Sequence, residues 1–99
     1  MIVEELDSKI ILRLPEEFNF KTHNEFRDCY RQRPPETSFE IDFKNVTRFD
    51  SSALGMLLLL RSHCGDDKAD IHLTNCSPRI RKILETAMFG AYFNISDDA

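Results

Sequence analysis

The sequence predicts an α/β domain built on a single mixed β-sheet, with helices packed on one sheet face and the other face open to solvent. Three observations lead there. The segments "FEIDF" (39–43) and "DIHL" (70–73) alternate apolar and polar residues, so each strand has one buried and one wet side. Helical patterns alternate with these strands, which implies parallel neighbours joined by crossovers. A sheet covered on both faces would carry continuous apolar strands instead.

Along the chain, residues 2–6 form a short strand that pairs as a hairpin with "IILRL" (10–14) through Asp7-Ser8. Pro15 ends the second strand. "NFKTHNEFRDCYRQR" places Phe20, His23, Phe26, Cys29 and Tyr30 at helical spacing. Thr22 is expected as its N-cap, with Glu25 completing a capping box, and Pro34-Pro35 stop it. In "FEIDF", Phe39, Ile41 and Phe43 face one way. Ile71 and Leu73 do the same in the later strand. "SPRIRKILETAMFG" reads as a helix with Ser77 at the N-cap, Pro78 at N1 and Gly90 as the stop. Its apolar stripe is Ile80, Ile83, Leu84, Ala87 and Met88. "AYFNI" adds a last short strand, and "SDDA" frays.

The 99 residues support one domain, 1–99, with a single modest core. A net charge of -4 disfavours nonspecific nucleic-acid binding. The opening "MIVEELDSKI" is acidic and lacks a basic leader region, and the longest apolar run is far below the roughly 20 residues that span a bilayer. A cytoplasmic protein without membrane insertion is expected. The three cysteines, Cys29, Cys64 and Cys76, have no C-x-x-C or C-x-x-H spacing, so neither a metal site nor a disulfide framework is suggested. No Gly-rich phosphate loop follows a strand, and no serine, cysteine or carboxylate has a partner at catalytic spacing. Neither an enzyme nor a cofactor is expected.

The segment "RFDSSALGMLLLLRSHCG" (48–65) carries the functional signal. As a helix from Ser51 to Cys64 it is apolar nearly all round, so it should be covered by the sheet on one side and by the "IRKIL" helix on another. The remainder is a narrow face of small residues: Ser51, Gly55 and Ser62, flanked by Leu58 and Leu59. Gly55 in a helix interior costs about 1 kcal/mol relative to Ala. Two explanations offset that cost: tight packing on the domain's own sheet, or close approach of a partner's backbone. Asp50 or Ser51 can cap the helix. A hydroxyl at a helix start is also a good phosphoacceptor, because the free N–H groups and the dipole favour an added phosphate. Such a phosphate, beside Asp50 at the rim of the small-residue face, would repel a partner without disturbing the fold.

These residues also carry a family resemblance. "VTRFDSSALGMLLLLR" resembles the signature of STAS domains, the fold of bacterial anti-sigma factor antagonists. "LTNCSPRIRKILETAMFG" is similar to the family's second landmark, a strand, an Asn and a Ser-Pro-started helix. The strand–helix layout agrees over nearly the whole chain, closest to stand-alone antagonists of partner-switching modules. The resemblance implies a STAS-like sheet and a role as a phosphorylation-controlled antagonist. It implies phosphorylation of the serine directly after the motif's Asp50, here Ser51, by a GHKL-type serine kinase. A serine phosphatase would reverse it, and the unphosphorylated form would bind an anti-sigma factor or similar regulator. Gly55 matches the family's helix glycine. Ala53 stands where the family often has Gly, and "LPEEFNF" replaces the family's early turn. The expected partner-binding set is Asp50, Ser51, Ser52, Gly55, Leu58, Leu59 and Ser62, on a monomer. The alternative is a constitutive STAS docking subunit of a membrane lipid or solute transporter.

Overall fold

The computed structural model describes residues 1–96, so the expected fraying at 97–99 lies outside the described residues. In chain order the strands are β1 (Ile2–Leu6), β2 (Lys9–Arg13), β3 (Glu17–Phe18), β4 (Ser38–Asp42), β5 (Arg48–Phe49), β6 (Ile71–Thr74) and β7 (Asn94–Ile95). The helices are α1 (His23–Tyr30), α2 (Ser51–His63) and α3 (Pro78–Thr86). The main sheet has the order β1-β2-β4-β6-β7, and β3 pairs with β5 in a separate two-stranded ladder. β1 is antiparallel to β2, while the β2–β4, β4–β6 and β6–β7 pairings are parallel. The expected mixed sheet is what the chain forms.

Register follows from alternation. Ile10, Phe39 and Ile71 align across three strands, as do Leu12, Ile41 and Leu73. These rows meet Phe26, Tyr30, Leu57, Leu60, Ile80 and Leu84 of the helices in one core. The opposite sheet face is polar. Lys9 Nζ sits 2.8 Å from Glu40 Oε1, and Arg13 pairs with Glu4 and, at 2.8 Å, with Asp42. Ile11 lies on that face yet is 6% exposed, flanked in register by Glu4 and Glu40 and within reach of the stems of Lys9 and Arg13.

Asp42 is the hub of the polar side. It is 5% exposed and receives hydrogen bonds from Arg13, from Asn75 Nδ2 at 2.9 Å and from the Lys44 amide at 2.9 Å. Asn75 has a left-handed φ of 58°, a conformation in which asparagine is enriched. The Asp42 bond fixes that residue at the turn from β6 into α3. Burial pushes the Asp42 carboxyl up, but the bonds from Asn75, Lys44 and Arg13 outweigh it and hold the carboxyl below its ordinary value.

Three local expectations are corrected. Thr22 does not cap α1 with its side chain. It closes a reciprocal box with Asn19 instead, Asn19 Oδ1 accepting from Lys21 and Thr22 Oγ1 accepting from the Asn19 amide. A 3₁₀ turn over Phe20–Thr22 thus precedes the helix, and it turns Phe20 outward rather than onto the apolar face of α1. α3 ends at Thr86, not at Gly90, and the left-handed residue is Met88 at φ 61°. The reversal buries Phe89 and Phe93 against each other, centroids 5.4 Å apart, and leaves Met88 74% exposed. Finally, Ser96 is not frayed, for its amide donates to Leu73 O at 2.9 Å.

Asp42→Ala is expected to cost about 2–3 kcal/mol near neutral pH, the scale of lost hydrogen bonds to a buried charge. The folded carboxyl titrates below its unfolded value of about 3.9, so its stabilisation is complete above that pH and is lost as pH falls through the folded value. Urea unfolding should therefore show a gap between wild type and variant that narrows from about pH 7 to about pH 3. A gap that stays constant or widens contradicts the assignment.

Candidate functional site

α2 is seated by an aromatic cluster under its first turn. Phe18 of β3 packs edge-on to Phe26 at 4.9 Å and Phe43 at 6.0 Å, and Phe43 meets Phe49 at 5.7 Å. Phe49 is 7% exposed and immediately precedes Asp50. The β3–β5 ladder aligns Phe18 with Phe49, and Glu16 O accepts from the amides of Thr47 and Arg48 at 2.9 and 3.0 Å. The entry to α2 is therefore fixed by rings on one side and backbone bonds on the other.

Asp50 is the N-cap. Its Oδ1 accepts from the Ser52 amide at 3.0 Å and also from the Ser52 hydroxyl. Those bonds, the one from the Ser52 hydroxyl foremost, hold the Asp50 carboxyl below its ordinary value. The Ser52 hydroxyl in turn accepts from the Phe20 amide at 2.9 Å. Ser52 is half-buried and tied to two partners, whereas Ser51 is exposed and its hydroxyl has no partner among the described residues.

The buried stripe of α2 is Ala53, Met56, Leu57 and Leu60, continued by Cys64. At 3.6 residues per turn, Ser51, Gly55, Leu58 and Ser62 then point away from the sheet, with Leu59 beside them. Gly55 is exposed, and a methyl group placed on it would meet nothing within 4 Å. Packing on the domain's own sheet does not explain the glycine. Leu58 and Leu59 are 40% and 52% exposed. α2 is covered on more than one side, as its apolar pattern implies, but the second cover is not the expected one. Its close helical neighbour is α1, with the Tyr30 and His63 rings 5.2 Å apart, and not the "IRKIL" helix α3. The mixed leucines allow either neighbour; the rings decide.

Of the expected binding residues, Ser51, Gly55, Leu58 and Ser62 share one outward face, Leu59 flanks it and Asp50 stands at its start. Ser52 is turned towards the loop before α1. One residue was missed. Phe20 is 75% exposed, stacks on His23 at 6.1 Å and is held beside the start of α2 by its bond to Ser52. Its i,i+3 spacing with His23 concealed it; the Asn19–Thr22 cap was the available signal. Among the described residues no group of His, Cys, Asp and Glu is arranged to hold a metal ion, and no helix is long and apolar enough to cross a membrane.

Comparison with known proteins fits this geometry. A family model described as "Mlab, STAS domain" matches residues 1–91. The chain belongs to the STAS family. A STAS-domain containing protein of Pseudomonas aeruginosa (strain UCBPP-PA14) is 45% identical over 89 residues, covering 89% of this chain and 88% of the relative. Among solved structures, a candidate anti-sigma factor antagonist of Thermotoga maritima superposes with a TM-score of 0.80 at 16% identity, covering 95% of this chain and 83% of that one. The anti-sigma factor antagonist SpoIIAA in its unphosphorylated form gives 0.78 at 18% identity, covering 96% and 86%. The STAS fold is shared across these proteins at low identity.

In this STAS domain the two serines should separate by measurement. Ser52→Ala is expected to cost about 1 kcal/mol and to speed amide exchange at Phe20. Ser51→Ala should stay within about 0.5 kcal/mol of wild type and leave Phe20 protected. Equal effects of the two substitutions would contradict the bonding pattern.

Proposed function

We propose that this STAS domain is a phosphorylation-controlled antagonist in a partner-switching module. The unphosphorylated form binds an anti-sigma factor or similar regulator through Asp50, Ser51, Gly55, Leu58, Leu59 and Ser62, with Ser52 holding the start of that face. A GHKL-type serine kinase modifies Ser51 and a serine phosphatase restores it. The observation that carries this reading is the contrast between the serines: Ser51 is exposed and its hydroxyl has no partner among the described residues, and Ser52 is engaged by Asp50 and Phe20. A phosphate on Ser51 would sit at the N-terminus of a thirteen-residue helix, where amides and dipole favour negative charge. It would add about 1.5–2 negative charges beside Asp50, on the face a partner would cover. The likeness to anti-sigma factor antagonists supports the same role.

A second reading is a constitutive docking subunit of a membrane lipid or solute transporter. The outward face favours it in one respect: Leu58, Leu59 and Phe20 are displayed without any modification.

Incubation with the cognate kinase should add one phosphate to wild type and none to Ser51→Ala, read by intact mass. Ser51→Asp should unfold at the wild-type temperature and bind the target at least about tenfold more weakly. Phosphate uptake by Ser51→Ala contradicts the assignment. Undiminished binding by Ser51→Asp, with no phosphate uptake by wild type, favours the constitutive subunit.

A further inference from the structure

α3 stands off α2, and an open apolar cleft of about 500 Å³ runs between them. Leu54 lines it from α2; Ile83 and Ala87 form the α3 wall, with Arg79, Lys82 and Thr86 along it. The α3 residues recur at helical spacing, so they present one continuous stripe. The two cations are exposed, and neither meets a carboxylate among the described residues. Arg79 instead donates to Thr47 O at 2.7 Å, which places its guanidinium beside the loop that leads into α2. Past α3, Met88 is 74% exposed and Tyr92 45%. Tyr92 lies under Arg61 of α2 at 4.7 Å. An otherwise acidic chain therefore carries an apolar trough whose wall bears two cations that meet no carboxylate among the described residues.

We propose that this cleft receives an acidic amphipathic helix of a protein partner, its apolar side chains between Leu54 and Ile83 and its carboxylates on Arg79 and Lys82. Charge complementarity selects the acid, because desolvating two cations without a counter-charge would oppose binding. The open shape selects a helix. A helix fills a groove with its apolar side and keeps a polar back in water, whereas an acyl chain lying in an open trough would leave one side wet. This inference rests on the proposed docking role in one respect: Leu54 lies one helical turn from Ser51, so a Ser51 phosphate would compete with the partner's carboxylates for the same basic wall.

The test is selection from a display library of helical peptides randomised at their groove-facing positions, using the unmodified full chain as bait. Enriched peptides should combine Leu, Ile or Phe with Asp or Glu. In NMR titrations they should shift the amides of Leu54, Lys82, Ile83 and Thr86. Arg79→Glu with Lys82→Glu, both exposed, should weaken them about tenfold and favour Lys-containing peptides. No enrichment, enrichment without acids, or shifts elsewhere overturns the proposal. Dodecanoate shifting the same amides more tightly than any selected peptide also overturns it, in favour of a lipid. Because the bait is unphosphorylated, the outcome is independent of whether Ser51 accepts phosphate.

Discussion

The seat of α2 on the sheet is the constraint from which the rest of the molecule follows. Ala53, Met56, Leu57 and Leu60 are each at most 3% exposed, and together they fix the rotation of the helix. Once that rotation is set, Ser51, Gly55 and Ser62 must face outward. Any other rotation would bury Ser51 or expose Leu57 and Leu60, at about 1.5–3 kcal/mol for each large apolar side chain. The proposed docking face is thus the geometrical complement of the core stripe.

The polar contacts refine what burial sets. Asp50, Ser52 and the Phe20 amide form a short chain of hydrogen bonds at the helix start. That chain engages Ser52 and leaves the Ser51 hydroxyl without a partner among the described residues. On the far side of the sheet, Asp42 joins β4 to β2 through Arg13 and to the α3 turn through Asn75. The two clusters lie at opposite ends of the chemistry: one holds the frame, and the other presents a surface that an added charge can alter.

Much of this was legible in the sequence. Alternation at Phe39–Phe43 and Ile71–Leu73 specified the strands and their covered face. The Asp-Ser-Ser start and the small residues of α2 specified the outward face. Contacts distant in sequence were not legible. The β3–β5 ladder has two residues per strand and no periodicity to detect. Phe20 fits the spacing of α1 yet lies outside it, because the Asn19–Thr22 cap turns the chain first. Met88 fits the stripe of α3, but burying Phe89 and Phe93 ends the helix early. Leucines around α2 could not say which helix lies beside it; the Tyr30–His63 contact and the open cleft to α3 answer that.

A charge at Ser51 should change the surface of α2 and leave its seat intact. Backbone amide shifts of the protein with and without phosphate on Ser51 measure this directly. Changes should be confined to the first two turns of α2, the Phe20 turn and the neighbouring Arg79, with the amides of Leu57, Leu60 and strands β2, β4 and β6 unmoved. Shifts spread through those strands, or loss of the α2 core resonances, would contradict it.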